Sequence, residues 1–163
     1  MKNVLPEIIR VSKMAILPCC QIAKLKWIYT NYPPDWLICW YKGSTGHRSF
    51  IGFNDWEPHL VYGKNRSNLA MHDYFQTKCM EMGSFGHPCP KPLEWAIWLI
   101  DRASKETDLI LDPFLGSGTT ACACKKLNRN FIGFEINPDY VKISNERLAN
   151  TFTVKKNYGG YFK

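Results

Sequence analysis

The chain has 163 residues, a length typical of one globular domain and too short for a multidomain assembly. Hydrophobic residues make up 45% and charged residues 21%, so the composition supports a folded core and excludes wholesale disorder. The formal net charge of +7 favours an anionic partner, and nucleic acid is the first candidate.

The excess positive charge is concentrated at the two ends of the chain. Residues 1–50 carry seven basic and two acidic side chains, and three lysines follow in residues 155–163. This distribution is typical either of a DNA-facing surface or of an ordinary solvated basic face. By position alone, three residues are candidate phosphate contacts, namely Arg48, Lys64 and Arg66.

The cysteines indicate a reducing, cytoplasmic location. There are seven, an odd number that includes the adjacent Cys19 and Cys20, and no segment resembles a signal peptide. The longest apolar run, residues 95–100, is far shorter than the roughly 20 residues that a membrane span needs. No metal site is predicted, because the His and Cys candidates match no standard zinc spacing. These candidates are His72, Cys79, His87 and Cys89.

The first half of the chain predicts one helix and three strands. Mixed periodicity favours a helix over 4–14, and the apolar residues 15–17 favour a buried strand. Aromatic and apolar runs at 36–41 and 57–62 predict two further strands, joined as a long hairpin. The polar segment 64–86 has no sustained period and is interpreted as an irregular loop or a recognition insert.

The second half predicts alternating helices and strands. Residues 93–103, opened by a proline, form an apolar helix, and 109–111 form a short buried strand. A glycine-bearing turn at 112–119, called here the Gly turn, leads into a helix over 120–127 and then a strand over 131–136.

The last predicted helix has a clear start signal. Asn137 is a suitable N-cap and Pro138 a suitable first helical residue, for a helix that continues to about Ala149. The order strand, helix, strand, helix predicts a βαβ unit with a parallel strand pair, and therefore an α/β fold. The tail, residues 151–163, is expected to be flexible and basic.

The Gly turn carries residues that point to a cofactor. Gly116 and Gly118 allow the backbone to approach a ligand closely, and Asp112 can accept hydrogen bonds. Glu135 lies at the end of the next strand, where a carboxylate can bind the two hydroxyls of a ribose. For the two glycines alone, tight helix–strand packing is the structural alternative.

Elimination narrows the choice of nucleoside cofactor. A phosphate-binding P-loop needs Lys after its last Gly, where this chain has Thr119, and a dinucleotide fingerprint needs a third Gly that 117–123 does not supply. A nucleotide-dependent oxidoreductase is therefore disfavoured. Two acidic positions suit a cofactor with a positive charge and no phosphate, which S-adenosylmethionine (SAM) satisfies.

Three motifs in sequence order resemble those of SAM-dependent DNA amino-methyltransferases. They are His-Pro-Cys-Pro-Lys-Pro at 87–92, Asp-Pro-Phe-Leu-Gly-Ser-Gly-Thr-Thr at 112–120 and Phe-Ile-Gly-Phe-Glu-Ile-Asn at 131–137. The order is similar to the circularly permuted branch, in which the SAM half follows the catalytic half. Motifs between 34 and 64 are similar to phage and bacterial members.

The resemblance implies an α/β, Rossmann-like SAM-dependent methyltransferase fold that is incomplete, with a mostly parallel sheet and an antiparallel hairpin. It implies one methyltransferase domain over 1–150. Within it, 1–63 is the remainder of the catalytic half, 64–86 is the loop or insert, and 87–150 is the SAM-binding half.

The resemblance also implies which residues bind SAM. It places the Gly turn along the SAM pocket, with Thr119 and the 87–92 segment near the methionine end and Glu135 on the ribose. Cys89 and Pro90 depart from the commoner Thr-Gln at these places. The cofactor-binding set is His87, Pro88, Lys91, Pro92, Asp112, Pro113, Phe114, Gly116, Ser117, Gly118, Thr119 and Glu135.

The catalytic tetrapeptide of the family is Asp, Asn or Ser followed by Pro-Pro and an aromatic residue, and in the permuted order it is expected ahead of residue 1. The one Pro-Pro pair of this chain, 33–34, has Tyr32 in place of the polar acceptor and Asp35 in place of the aromatic. No catalytic residue is therefore assigned. Truncation, loss or a split gene would each account for this, and a separate chain that supplies the motif is a candidate partner.

The resemblance implies methyl transfer from SAM to the exocyclic amine of adenine (N6) or cytosine (N4) in double-stranded DNA, in a bacterial or phage-infected cell. The sequence does not distinguish the two bases. The alternative is a catalytically inactive remnant that binds SAM or DNA and needs a partner chain. Asp112 and Glu135 are both retained, which favours a working cofactor site because a decayed pocket is expected to lose one of them.

Overall fold

The computed structural model describes residues 3–18, 22–43, 48–49, 52–63, 72–81 and 83–153. The chain divides into an N-terminal unit, Met1–Cys79, and a C-terminal unit, Met80–Lys163. The boundary lies inside the segment 64–86, which the sequence places between the two halves of the protein. The finer division of the chain, including the tail, stays a prediction.

In its described residues, the N-terminal unit contains two helices and six short strands. They are α1 Val4–Val11, β1 Ala15–Pro18, α2 Ile22–Asn31, β2 Trp36–Tyr41, β3 Arg48–Ser49, β4 Gly52–Phe53, β5 Trp56–Tyr62 and β6 Tyr74–Gln76. Four strands form one sheet in the order β1-β5-β2-β6. β5 is antiparallel to β1 and β2, whereas β6 is parallel to β2. β3 and β4 form a separate antiparallel pair.

The long hairpin predicted from the sequence is confirmed by the pairing of β2 with β5. Its register places Trp36 opposite Val61 and Tyr41 opposite Trp56. The two helices cover this sheet around a core of fully or nearly fully buried side chains. That core consists of Leu5, Ile28, Leu60 and Tyr62.

Several details of the N-terminal unit, including the unpredicted β3–β4 pair, differ from the sequence predictions. α1 ends at Val11 rather than residue 14, because Ser12 adopts an extended backbone (φ −102°, ψ 142°) that leads into β1. α2 was not predicted, since its lysines interrupt the apolar face and its aromatic and β-branched residues are weak helix formers. β6 has three residues, too few for a periodic signal.

In its described residues, the C-terminal unit has the predicted alternation of helices and strands. A short helical turn, Ser84–Gly86, precedes α3 Leu93–Ala103, β7 Leu109–Asp112, α4 Thr119–Leu127, β8 Asn130–Gly133 and α5 Pro138–Ala149. β7 and β8 are parallel, which confirms the βαβ unit. α4 packs against α3 and α5. The N-cap prediction is also confirmed, since Asn137 Oδ1 accepts a hydrogen bond from Asp139 N at 2.9 Å.

The prediction that β7 is a buried strand is wrong. Its side chains alternate in exposure, with Leu109 59% and Leu111 40% exposed. Alternate residues of a strand point to opposite sides, so one side of β7 is left open to solvent in the described chain. No helix among the described residues has the length and apolar character needed to cross a membrane.

Arg129, directly before β8, forms hydrogen bonds with the residue that follows α3 and with the end of α4. Its replacement by Met should lower the free energy of unfolding by roughly 2–4 kcal/mol. The side chain is 7% exposed. It donates to Ser104 O at 3.2 Å and to Leu127 O at 2.6 Å. Met would leave these oxygens without that donor, and urea denaturation measures the loss.

The matched control for this change is Arg10→Met. The Arg10 side chain is 69% exposed and pairs with Glu7 on the surface of α1. Exposed pairs of this kind contribute at most about 1 kcal/mol, so the control should unfold close to wild type. Equal losses in the two variants would contradict the structural role of Arg129.

Candidate cofactor site

The Gly turn is fixed to the end of β8 by backbone hydrogen bonds. Phe134 N donates to Asp112 O at 2.9 Å, and Leu115 N donates to Phe134 O at 2.8 Å. Within the turn, Asp112 Oδ1 accepts from Phe114 N at 3.0 Å. The Asp112 carboxylate therefore shapes the turn at the carboxyl end of β7.

Both glycines of the turn are required by backbone conformation and by close neighbours. Gly116 has φ +54° and Gly118 has φ +82°, in the left-handed region that glycine adopts at little cost. A Cβ at Gly116 would lie 3.1 Å from His87 Nε2, and a Cβ at Gly118 would lie 2.7 Å from Ser144 Cβ. The structure therefore shows the tight packing that the sequence offered as the structural alternative, and the role of the glycines in ligand approach stays a prediction.

Glu135 is bonded directly to the Gly turn. Its Oε2 accepts from Gly116 N at 2.8 Å, and its Oε1 accepts from Asn137 N at 2.8 Å. Hydrogen bonds from backbone N–H groups, that of Asn137 foremost, hold the pKa of the Glu135 carboxyl below its usual range. The group is therefore an anion at neutral pH.

The 87–92 segment lies against the turn and α5. Thr119 Oγ1 donates to Lys91 O at 3.2 Å. Cys89 N donates to His87 Nδ1 at 3.2 Å, so in the neutral ring the proton is on Nε2, which faces Gly116. The His87 ring lies 4.6 Å from that of Tyr140.

The structure thus brings the predicted cofactor residues together within the C-terminal unit. His87 and Lys91 contact the turn, and the turn contacts Glu135. Phe114 is 65% exposed, and Ile136, directly after Glu135, is 99% exposed. Pro92 occupies the N-cap position of α3. Of the remaining predicted residues, Pro88 lies in the 87–92 segment, and Pro113 and Ser117 lie in the Gly turn.

Tyr140 and Arg147 of α5 belong to the segment 139–148 that shares in the family resemblance, but sequence reasoning assigned neither of them a role in the site. Arg147 Nη1 donates to Ser117 Oγ at 2.8 Å and to Thr119 Oγ1 at 3.3 Å, and it also bonds the Ser117 carbonyl. Burial lowers the pKa of its guanidinium, which nevertheless remains charged at neutral pH. The three- and four-residue spacing of Tyr140, Ser144 and Arg147 places all three on one side of a helix and is the signal that could have indicated this.

The Pro-Pro pair at 33–34 is flanked by groups with structural partners. Tyr32 O accepts from Tyr62 OH at 2.9 Å, and Asp35 Oδ2 accepts from Gly63 N at 2.7 Å. Both contacts hold the loop that precedes β2 against the end of β5, at Tyr62 and Gly63. This supports the sequence interpretation that the pair is not the catalytic motif.

Other chemical candidates add no second site in the described part of the chain. Within it, no group of three or more His, Cys, Asp or Glu side chains could hold a metal ion. Cys122 and Cys124 are buried, and burial raises the pKa of the Cys124 thiol to about 12, so it is unreactive. The candidate DNA contacts Lys64 and Arg66, and the side chain of Arg48, lie outside the described residues.

A family comparison identifies the chain. The profile of an N6/N4-type DNA methylase family matches residues 27–146, well over half of the chain. The chain belongs to this DNA methylase family. The match confirms the resemblance drawn from the sequence motifs and extends over both structural units.

Curated relatives of this methylase chain include bacterial type II methyltransferases. The chain is 44% identical to methyltransferase M2.DpnII of Streptococcus pneumoniae, over 76% of this chain and 49% of that protein. It is 46% identical to M.HpaI of Haemophilus parainfluenzae, over 40% of this chain and 21% of that protein. The chain therefore spans about half or less of the length of these relatives.

Solved structures confirm the α/β methyltransferase fold class of this methylase chain. The M1.HpyAVI–SAM complex matches with a TM-score of 0.69 and 26% identity, over 90% of this chain and 82% of that one. The cytosine-N4-specific PvuII DNA methyltransferase matches with a TM-score of 0.64 and 17% identity, over 88% of this chain and 64% of that one.

Proposed function

We propose that the C-terminal unit binds SAM and that the protein serves methyl transfer to the exocyclic amine of adenine (N6) or cytosine (N4) in double-stranded DNA. The observation that carries the proposal is the 2.8 Å hydrogen bond from Gly116 N to the Glu135 carboxylate. It unites the Gly turn and the candidate ribose-binding acid in one site.

The residues of the site fit SAM. The ionised Glu135 carboxylate is an acceptor suited to ribose hydroxyls, and the exposed Ile136 beside it offers an apolar surface to the adenine. The carboxylates of Asp112 and Glu135 favour a cationic ligand over a phosphate. Asp112, the Gly turn, Glu135 and the 87–92 segment would hold the cofactor, with its methionyl end along the turn. When bound, SAM supplies an electrophilic methyl group.

The proposed DNA substrate rests on family membership and on the type II methyltransferases among the relatives. A target amine needs hydrogen-bond acceptors that raise its nucleophilicity and stabilise the positive charge that develops on nitrogen. The family supplies them from its tetrapeptide, and no such tetrapeptide occurs in this sequence. We therefore propose that the acceptors come from outside these 163 residues, and a separate polypeptide that carries the motif is the candidate partner for catalysis.

A second candidate function is a non-catalytic SAM- or DNA-binding module. The one observation that favours it is the Pro-Pro pair of the N-terminal unit, whose flanking residues Tyr32 and Asp35 have structural partners. The hydrogen-bonded geometry of Glu135 favours a site that still binds cofactor in either case.

Calorimetric titration of the 163-residue chain with SAM tests the cofactor proposal. We expect saturable heat with one site per chain and a raised melting temperature, because a ligand that binds only the folded state stabilises it. ATP is the control nucleotide, and it should bind far more weakly since its phosphates face two carboxylates. No heat and no melting shift at millimolar SAM would contradict the proposal.

Transfer of labelled methyl groups to duplex DNA tests the catalytic part. We expect incorporation near background for this chain alone, and turnover when a polypeptide with the tetrapeptide is added. Robust turnover by the chain alone would overturn the proposed need for a partner.

A further inference from the structure

A stripe of three residues on α5 faces the segment that precedes α3. Tyr140, Ile143 and Arg147, called here the α5 stripe, recur at a spacing of three and four residues and so lie on one side of the helix. The segment 85–87 runs along this stripe. The Arg147 guanidinium carbon lies 4.1 Å from the centroid of the Phe85 ring. A Cβ added to Gly86 would lie 3.3 Å from Ile143 Cδ1. The ring centroids of His87 and Tyr140 are 4.6 Å apart.

The same arginine also forms hydrogen bonds with the Gly turn. Arg147 Nη1 donates to the carbonyl of Ser117, to Ser117 Oγ at 2.8 Å and to Thr119 Oγ1 at 3.3 Å. Ser117 is 4% and Thr119 6% exposed, so these oxygens have little access to water. A charged donor satisfies buried oxygens strongly, and the bond to the Ser117 carbonyl fixes the peptide between the two glycines.

Phe85 shows that the segment 85–87 is held in place rather than relaxed. It has φ 58° and ψ 22°, in the left-handed region that is unfavourable for a bulky residue. Such a conformation persists only where the surroundings fix it. The surroundings here include the Arg147 guanidinium stacked on the Phe85 ring.

We propose that Arg147 is a positioning residue for the cofactor site, acting through Ser117 and Phe85 to hold the Gly turn and the 85–91 segment in one arrangement before the ligand binds. This inference rests on the proposed SAM site. A planar guanidinium can stack on a ring and donate to several oxygens at once, which the ammonium of Lys cannot do. Pre-organisation of this kind raises affinity because less ordering accompanies binding.

The first test is calorimetric titration of Arg147→Met and Arg147→Lys with SAM and with adenosine. We expect SAM affinity to fall roughly 10- to 100-fold in Arg147→Met, the range that loss of a charged hydrogen bond gives, with Arg147→Lys closer to Met than to wild type. Adenosine lacks the methionyl group that would lie along the turn, so its affinity should fall less. A purely structural role would weaken both ligands equally.

Arg102→Met is the matched control. The Arg102 guanidinium carbon lies 3.1 Å from the Trp98 ring centroid and its Nε donates to Trp98 O at 3.3 Å, so it is also a stacked arginine of the C-terminal unit. Arg102 and Trp98 both lie in α3. The control should keep wild-type SAM affinity. An equal SAM loss in the control, or wild-type affinity in both Arg147 variants, would overturn the inference.

The second test needs no ligand. Amide hydrogen exchange at Gly116 and Gly118, which donate to Glu135 and to Leu115, should become faster in the Arg147 variants and not in Arg102→Met. Faster exchange in a protein whose wild type fails to bind SAM would support the positioning role while refuting the proposed cofactor. Unchanged exchange would refute the positioning role whatever the SAM result. If Arg147→Met does not fold, Arg147→Lys decides both tests.

Discussion

Glu135→Gln should weaken SAM binding by about 100-fold, since it removes the charge and one of the two acceptor oxygens, and a hydrogen bond to a charged group contributes roughly 1.5–3 kcal/mol. Gln has one acceptor oxygen, whereas the carboxylate accepts from Gly116 N and Asn137 N at 2.8 Å each. The amide therefore also leaves one backbone N–H without its partner and loosens the turn. Calorimetric titration measures the affinity, and thermal unfolding measures the accompanying loss of stability.

Glu146→Gln is the control, because it makes the same chemical change at an exposed position of α5. It should bind SAM as wild type does. Binding by Glu135→Gln within a few-fold of this control would contradict the ribose-binding role.

The lowered pKa of Glu135 fixes the pH dependence of the same interaction. A group whose pKa is depressed in the folded state contributes stability above its unfolded pKa and loses it as pH falls through the folded value. SAM affinity should therefore hold as pH falls to the ordinary glutamate value near 4.5 and decline only below it. Glu135→Gln should remove this acid limb, as titrations at several pH values would show.

Gly118→Ala should be the most destabilising substitution in the Gly turn. A left-handed backbone costs a non-glycine residue about 1–2 kcal/mol. The added Cβ would lie 2.7 Å from Ser144 Cβ and 2.9 Å from Ser144 Cα, and overpacking of this kind costs a further 1–3 kcal/mol or so. We expect a total loss of roughly 2–5 kcal/mol in urea denaturation, together with loss of SAM binding.

Gly83→Ala separates backbone strain from crowding. Gly83 has φ +81°, against +82° at Gly118, and nothing lies within 4 Å of its added Cβ. It should therefore show the backbone cost alone. If the two variants unfold at the same urea concentration, the close approach of α5 to the turn contributes nothing.

Local signals made the C-terminal unit predictable. The Asn137–Pro138 start of α5 and the left-handed backbone of the turn glycines are local features that the residue types themselves indicate. Glu135 could be placed because the carboxyl ends of adjacent parallel strands meet at one edge of the sheet.

The features that escaped prediction depend on distant contacts or on weak local patterns. Arg147 meets Ser117 thirty positions earlier in the chain, and only the packing of α5 brings the two together. Leu109 is exposed because only one side of β7 is covered by other residues. The three apolar residues 109–111 do not indicate which side that is. α2 lacks a clean apolar face, and the three residues of β6 form a strand only by pairing with β2.

The α5 stripe also bears on where a portable SAM-binding fragment could be cut. A fragment that ends at Asn137 keeps each residue of the predicted cofactor set and lacks the helix that holds them. Tyr140, Ile143 and Arg147 secure the 85–87 segment, and Ser144 packs on Gly118. Motif content is therefore a poor guide to the boundary of a minimal fragment, and any graft of this site onto another scaffold has to carry α5 to its end.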